Sequence, residues 1–254
     1  MTKTPAKMRS STQYALIAGS GFREFGADSA TLAVETDYGE TSSPVRELEY
    51  GDHKVFLIAR HGDDLRIPAH RVNYRANMAA LRKLGVSHVV ALNTVGVIGS
   101  QLMPGQLAVP AQLMDYTWGR GHSIHDGNSD NLEHIDFTEP FCGELRQRIL
   151  DAAESAGVAC HDGGVYAVTQ GPRLETAAEV RRLARDGADF VGMTAMPEAS
   201  LAMELGIRYA CLSLIVNHAA GCGQSGIHED LEAHTATAKM QSMKVLRQFF
   251  HAVY

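Results

Sequence analysis

Cysteine is scarce in this chain and never paired in sequence. Cys142, Cys160, Cys211 and Cys222 form no C-x-x-C and show no metal-ligand spacing. That pattern excludes a disulfide-stapled scaffold or a zinc motif, and reduced thiols are expected. Long apolar runs are missing too: nothing approaches the roughly 18 residues that a membrane-spanning helix needs. Met1 to Thr12 is polar, carries Lys3, Lys7 and Arg9, and lacks the apolar core of a signal peptide, so a disordered tail over residues 1–12 is expected. Basic clusters are absent as well. The 23 Lys and Arg are scattered among 29 Asp and Glu for a net charge of −6, which argues against nucleic acid or a membrane surface as partner. Without a Pro/Gly/Ser-rich linker, low-complexity tract or internal repeat, residues 13–254 are expected to form one domain, in the cytoplasm.

What is present is a series of short apolar segments that end in small or polar residues. Tyr14–Ala18 reads as a buried strand followed at once by Gly19-Ser20-Gly21. Small residues after a strand let backbone N–H groups approach an anion. A dinucleotide fingerprint fails because Glu24 occupies the third glycine position, and no Gly-Lys-Ser/Thr is there to make a P-loop. Taken alone, the motif is more often a plain turn. Val55–Ala59 is a second strand and delivers Arg60-His61-Gly62, where a planar fork of donors suits phosphate but a surface ion pair would look the same. Val89–Leu92 is a third, with Asn93-Thr94-Val95-Gly96 expected as a small-residue loop at its end.

The stretch from Thr169 to Asn217 organises the rest. Val165–Val168, Phe190–Met193 and Tyr209–Val216 read as strands, with helices at Thr176–Arg185 and Pro197–Leu205 between them. Alternation of this kind predicts an α/β fold: a single domain with a central mixed, largely parallel β-sheet flanked by helices. Sites in such folds lie beyond the carboxyl ends of the strands. Those ends carry Glu175, Met193-Thr194 and Asn217, a set suited to a small polar ligand with an apolar face. Glu175 could also be a helix-N-terminal carboxylate, and Asn217 a strand-end cap.

Three further segments complete the chain. Tyr74, Met78, Leu81 and Leu84 mark a packing face on a helix over Asn73–Leu84, and Leu145, Ile149 and Ala152/Ala153 do the same on Glu144–Ala156. In the C-terminal helix from about Asp230 to Phe250, the inner face is expected to hold Met240, Met243, Leu246, Phe250 and Val253. Between Trp118 and Phe141 the chain is rich in Gly, Asn, Asp and His. Asp126-x-Asn128-x-Asp130 begins like a calcium loop, but Asn131 and Phe137 stand where Gly and Glu belong. His122, His125 and His134 lack ligand spacing, so no metal is expected, and a lid or a subunit contact is the better reading of this loop.

Jointly, Gly19-Ser20-Gly21, Arg60-His61-Gly62, Val72-Asn73-Tyr74-x-Ala76-Asn77, Asn93-Thr94-Val95-Gly96, Gly171-Pro172-Arg173, Gly192-Met193-Thr194-x-x-Pro197-Glu198 and Asn217 resemble the purine nucleoside phosphorylase and methylthioadenosine phosphorylase family. The resemblance runs from Tyr14 to Phe250. It implies phosphorolysis of an N-ribosidic bond in purine salvage, by a homotrimer with sites near the subunit interfaces and with no cofactor, inorganic phosphate being a co-substrate. It further implies phosphate held by Ser20, Arg60, His61, the backbone of Thr94, and Thr194, and Met193 against the ribose. Val95, Gly96 and Leu174 would line the base pocket, with His134 lent by a neighbouring subunit. Where much of the family has Phe, this chain has Leu174.

The chemistry narrows the substrate. The departing base needs a hydrogen bond at N7, and the sugar develops oxocarbenium character above the phosphate, so catalysis is positioning and electrostatics. Asn217 is the expected catalytic residue, because an amide can accept from N7–H and donate to O6. With Glu175 it matches a 6-oxopurine better than adenine, whose 6-amino group is a donor; family members that cleave adenine nucleosides resemble each other in carrying Asp at this position. At the 5′ end, Ile227 and Leu231 would make a methylthio slot and His228 would suit a hydroxyl. The pattern leaves open which of them faces in. The overall resemblance implies 5′-methylthioinosine as substrate, with inosine and guanosine next and 5′-methylthioadenosine as an alternative; a non-catalytic nucleotide-binding module is the reading from a different class.

Overall fold

The computed structural model describes residues 12–22, 26, 28–50, 53–99, 101–127, 132–224 and 226–253. The expected tail up to residue 11, together with Glu24, Asn128, Asp130, Asn131 and Ser225, lies outside them. Among the described residues, no helix is long and apolar enough to cross a membrane.

The strands are β1 Tyr14–Ala18, β2 Ala30–Leu32, β3 Val45–Tyr50, β4 His53–Ala59, β5 His88–Val97, β6 Leu107–Val109, β7 Gln112–Asp115, β8 Cys160–Asp162, β9 Val165–Val168, β10 Phe190–Gly192 and β11 Arg208–His218. The helices are α1 Tyr74–Lys83, α2 Gly143–Ser155, α3 Ala177–Asp186, α4 Ala195–Glu204 and α5 Ile227–Val253. All eleven strands among the described residues join one mixed sheet, whose main path runs β2-β3-β4-β1-β5-β10-β9-β7, with β11 on β5 and β6. The sheet is the expected mixed, largely parallel kind, and helices cover it on two apolar layers. One layer packs Tyr74, Met78 and Leu81 of α1 against β5 and β11; the other packs Leu145 and Ile149 of α2 and Phe249 and Phe250 of α5.

The long strand β5 sets the geometry of everything that follows. Along one edge, β11 pairs with it in parallel over its whole length. Along the other edge two shorter strands meet end to end. Strand β1 runs parallel to β5 and stops at Ala18 opposite Leu92. Strand β10 runs antiparallel to β5, with Phe190 opposite Val97 and Val191 opposite Gly96. Residues 93–95 therefore face a window between two carboxyl ends. Strand β4 accompanies β1, Ala59 opposite Ala18, and β9 accompanies β10, Val168 opposite Gly192. Two parallel sets of strands thus point their carboxyl ends at one another.

Two local expectations change. Asn93-Thr94-Val95-Gly96 is not a loop but the second half of β5, because β11 continues to pair with it through His218. On α5 the inner stripe is Ala238, Ser242, Val245, Leu246, Phe249 and Phe250. Met240, expected inside, lies about 200° around the helix from Ser242 and is 55% exposed.

Candidate active site

A cleft of about 370 Å³ opens at the window. Its wall includes Ser20, Arg60, His61, Thr94, Val95, Gly96, Leu174, Glu175, Met193, Thr194 and Asn217. Eleven of the twelve candidate residues are thus brought together. The twelfth, His134, is exposed and does not line the cleft of its own chain.

Each side chain arrives there for a local reason. Ser20 opens a short 3-10 turn directly after β1. Gly19 lets that turn come close, since a Cβ there would sit 2.9 Å from the Leu92 carbonyl and 3.2 Å from Arg60 Nη1. Arg60 follows β4, with its backbone N–H donating to Ala18 O. Asn217 owes its place to a bulge: the β11 register slips between Ile215 and Asn217, which sets Asn217 opposite Gly96 rather than Val97. A Cβ on Gly96 would lie 2.9 Å from Asn217 Nδ2. That nitrogen donates to the His218 carbonyl at 2.7 Å. A flipped amide would set oxygen against oxygen there, so the orientation is fixed by its neighbour.

The polar groups are themselves held from behind. Arg60 exposes nothing to solvent. Its Nε and Nη2 bind the buried Glu198 carboxylate, Nη2 to Oε2 at 3.0 Å, and its Nη1 donates to Leu92 O at 3.0 Å. Burial alone would lower the guanidinium pKa, and the Glu198 carboxylate more than reverses this, so Arg60 stays charged. His61 is pushed the other way, by burial first and then by the Arg60 charge. Its Nδ1 lies 2.8 Å from the Ile67 carbonyl; a neutral ring donates from Nδ1 and presents Nε2 as an acceptor. Thr194 Oγ1 accepts from Asn93 Nδ2 at 2.7 Å, which leaves its own O–H to donate. The Glu175 carboxylate accepts from Thr169 Oγ1 at 2.6 Å at the rim. In α3 the Thr176–Glu179 capping box, not Glu175, caps the helix.

Sequence reasoning gave no role to Glu198 or Arg120. Arg120 comes from the Gly- and His-rich loop and gathers the ends of β9 and β10. Its Nη1 donates to the carbonyls of Met193 (2.8 Å) and Met196 (2.6 Å), and its Nη2 to those of Thr169 (3.1 Å) and Gln170 (2.8 Å). Four carbonyls collected from 49 or more residues away leave no local pattern to read. His122 from the same loop binds Asp115 and Thr117, and no group of three His, Cys, Asp or Glu among the described residues could hold a metal ion.

At the far end of the cleft stands the first turn of α5. Ile227 and Leu231 line the cavity, whereas the exposed His228 does not. Residues four apart share a helix face, and His228 lies round the side from it. The turn is tied to β11 by Asp230, whose Oδ2 accepts from the His218 backbone N–H and lies 2.9 Å from His218 Nδ1.

A mixed sheet with facing carboxyl ends and a cleft lined by one hydroxyl-rich and one apolar end defines a nucleoside phosphorylase-like α/β protein. The Phosphorylase superfamily profile matches residues 13–251, and the chain belongs to that family. It is 46% identical over 213 residues to a Xanthomonas campestris pv. campestris protein named "Probable S-methyl-5'-thioinosine phosphorylase", covering 83% of this chain and 85% of that one. To the "6-oxopurine nucleoside phosphorylase" of Pyrococcus furiosus it is 41% identical over 213 residues, with coverages of 82% and 80%. Among solved structures, methylthioadenosine phosphorylase from Schistosoma mansoni in complex with tubercidin superposes with a TM-score of 0.88 at 30% identity, covering 95% and 92%.

Proposed function

We propose that the chain transfers a 5-methylthioribosyl group from a 6-oxopurine to orthophosphate: S-methyl-5′-thioinosine and phosphate give hypoxanthine and 5-methylthioribose 1-phosphate. The observation that carries the choice of substrate is the lining of the cleft by Ile227 and Leu231 with His228 outside it. An apolar slot favours a thioether methyl over a hydroxyl, which would lose its hydrogen bonds to water there.

In this reading phosphate occupies the window, taking hydrogen bonds from Ser20, Thr94, Thr194 and the remaining N–H groups of Arg60. His61 Nε2 accepts a hydrogen bond from the P–O–H that the phosphate dianion still carries. Met193 lies against the ribose, and Val95, Gly96 and Leu174 flank the base. As the glycosidic bond lengthens, electrons move onto the purine; N7 takes up, through solvent, the proton that phosphate gives up on becoming the ester, and N7–H donates to Asn217 Oδ1. The oxocarbenium-like C1′ is stabilised and then attacked by the phosphate oxygen beneath it. No step calls for a metal or organic cofactor. His134 would reach a neighbour's site in a cytoplasmic homotrimer, consistent with its exposed position.

Release of adenine from S-methyl-5′-thioadenosine has the S. mansoni structural neighbour on its side and the fixed Asn217 amide against it. Incubation with phosphate and methylthioinosine, inosine, guanosine or methylthioadenosine, with free base measured, decides. Hypoxanthine release from methylthioinosine should be fastest. Faster adenine release overturns the choice of base, and no phosphate-dependent release from any of the four overturns the enzyme in favour of a binding module.

A further inference from the structure

Arg60 and Glu198 are both fully buried, 138 residues apart in sequence, and joined by two hydrogen bonds. Tyr209, also buried, donates its hydroxyl to Glu198 Oε2 at 2.9 Å. A buried ion pair is weak evidence for stability, because desolvation offsets most of the attraction. Its geometry here says more. A guanidinium carries five N–H groups in a rigid plane. Two bind Glu198 and one binds Leu92 O, so two remain, one on each terminal nitrogen. Bidentate binding along one edge fixes the plane of the fork, and therefore the direction of the remaining pair.

We propose that Glu198, with Tyr209 behind it, is the positioning residue that aims Arg60 at phosphate. The proposal rests on the phosphorolytic reading, in which Arg60 is a phosphate donor, and adds groups that never touch the ligand. It also settles a competition of effects. If Glu198 acted only by cancelling the charge of Arg60, removing its own charge would strengthen the pull on phosphate. If it acts by orientation, removing it loosens the fork and weakens phosphate binding.

The test uses Glu198→Gln, which keeps the size and one hydrogen bond, and Tyr209→Phe, which keeps the ion pair and removes only the hydroxyl. The KM for phosphate should rise about 10-fold in Glu198→Gln and about 3-fold in Tyr209→Phe, while the KM for nucleoside stays within about 2-fold. Protection by phosphate against thermal unfolding should weaken in the same order, and this readout needs no turnover. Should Glu198→Gln fail to fold, Tyr209→Phe decides alone. A phosphate KM that falls or stays constant in the folded variants overturns the positioning role while leaving the enzyme intact. A wild-type protein without phosphorolysis but with phosphate protection overturns the function alone, and the protection series still judges Glu198. Absence of phosphate protection in the wild type overturns both.

Discussion

Asn217→Asp exchanges one donor for one acceptor in the cleft at nearly constant volume. In the wild type Nδ2 donates to the His218 carbonyl at 2.7 Å, so Oδ1 is the free acceptor and the second N–H of Nδ2 the free donor. A 6-oxopurine answers both, with N7–H developing at one position and O6 at the other. In the variant the position of Nδ2 holds an acceptor. It opposes both the His218 carbonyl and O6 of hypoxanthine, whereas the 6-amino group of adenine can donate to it. A buried acceptor without a donor costs about 1–3 kcal/mol. Losing one match for hypoxanthine and gaining one for adenine moves the ratio of specificity constants by about 2–4 kcal/mol, or about 30- to 1000-fold. The assay is kcat/KM for methylthioinosine and methylthioadenosine in wild type and variant at saturating phosphate. A folded variant that keeps the wild-type ratio would refute the claim that this amide reads the base.

Leu231→Ala should remove about 40–60 Å² of apolar contact from the 5′ end, worth about 1–1.5 kcal/mol. The kcat/KM for methylthioinosine should fall about 5- to 10-fold and that for inosine less than about 2-fold; equal losses would take α5 out of the 5′ site. Gly171→Ala would put a Cβ 2.5 Å from Met193 Sδ at a backbone φ of +63°. Displacement of that thioether should raise the nucleoside KM, and the left-handed backbone should cost about 1–2 kcal/mol in unfolding free energy; wild-type values of both would contradict it. His88 tests electrostatics far from the cleft. Burial first, then Arg208 and Arg148, lowers its pKa from 6.5 to about 4, and Arg208 Nη1 donates to Nε2 at 3.2 Å. With the folded pKa depressed, the unfolded chain binds the proton first as pH falls. The stability contribution is complete above pH 6.5 and is lost between there and about pH 4, on the order of 2–3 kcal/mol. Urea unfolding of His88→Gln should therefore show a flatter acid limb than wild type, and parallel limbs would rule the residue out.

What could be read from sequence was what is encoded locally. The buried strands Tyr14–Ala18 and Val165–Val168 stand in the structure with the expected bounds. The α1 stripe of Tyr74, Met78 and Leu81 is inside as its spacing requires. Ser20, Arg60, His61, Met193 and Thr194 were legible because each stands just beyond the end of a strand. What stayed hidden depends on partners far along the chain. Asn93 to Gly96 look like a loop because small and polar residues are poor strand formers, and only pairing with β11 makes them strand. The three-residue strands β2, β6, β8 and β10 are too short to show a period, and only β10 was expected, because an apolar run precedes a recognisable motif. Glu198 stood within the Met193-Thr194 segment, yet nothing near it in sequence announces Arg60 as its partner.

The window in β5 explains why the site is scattered along the chain. Where a strand pairs on both edges its backbone polar groups are spent; over residues 93–95 one edge has no strand, because β1 and β10 both stop short. The first carbonyl at that gap, Leu92 O, is met by Arg60, so a side chain completes what a strand would have done. Beyond it Thr94, Val95 and Gly96 line the cleft, where backbone N–H groups can meet an anion. Extending β1 and β10 across residues 93–95 would pair that edge of β5 and fill the cleft. Gly19 and Gly192 instead end those strands without side chains, and a Cβ at either would meet a neighbour at 2.9 Å or less. The fold therefore leaves part of its own hydrogen bonding unfinished where two sets of strand ends meet, and a ligand rich in acceptors is what that gap can take.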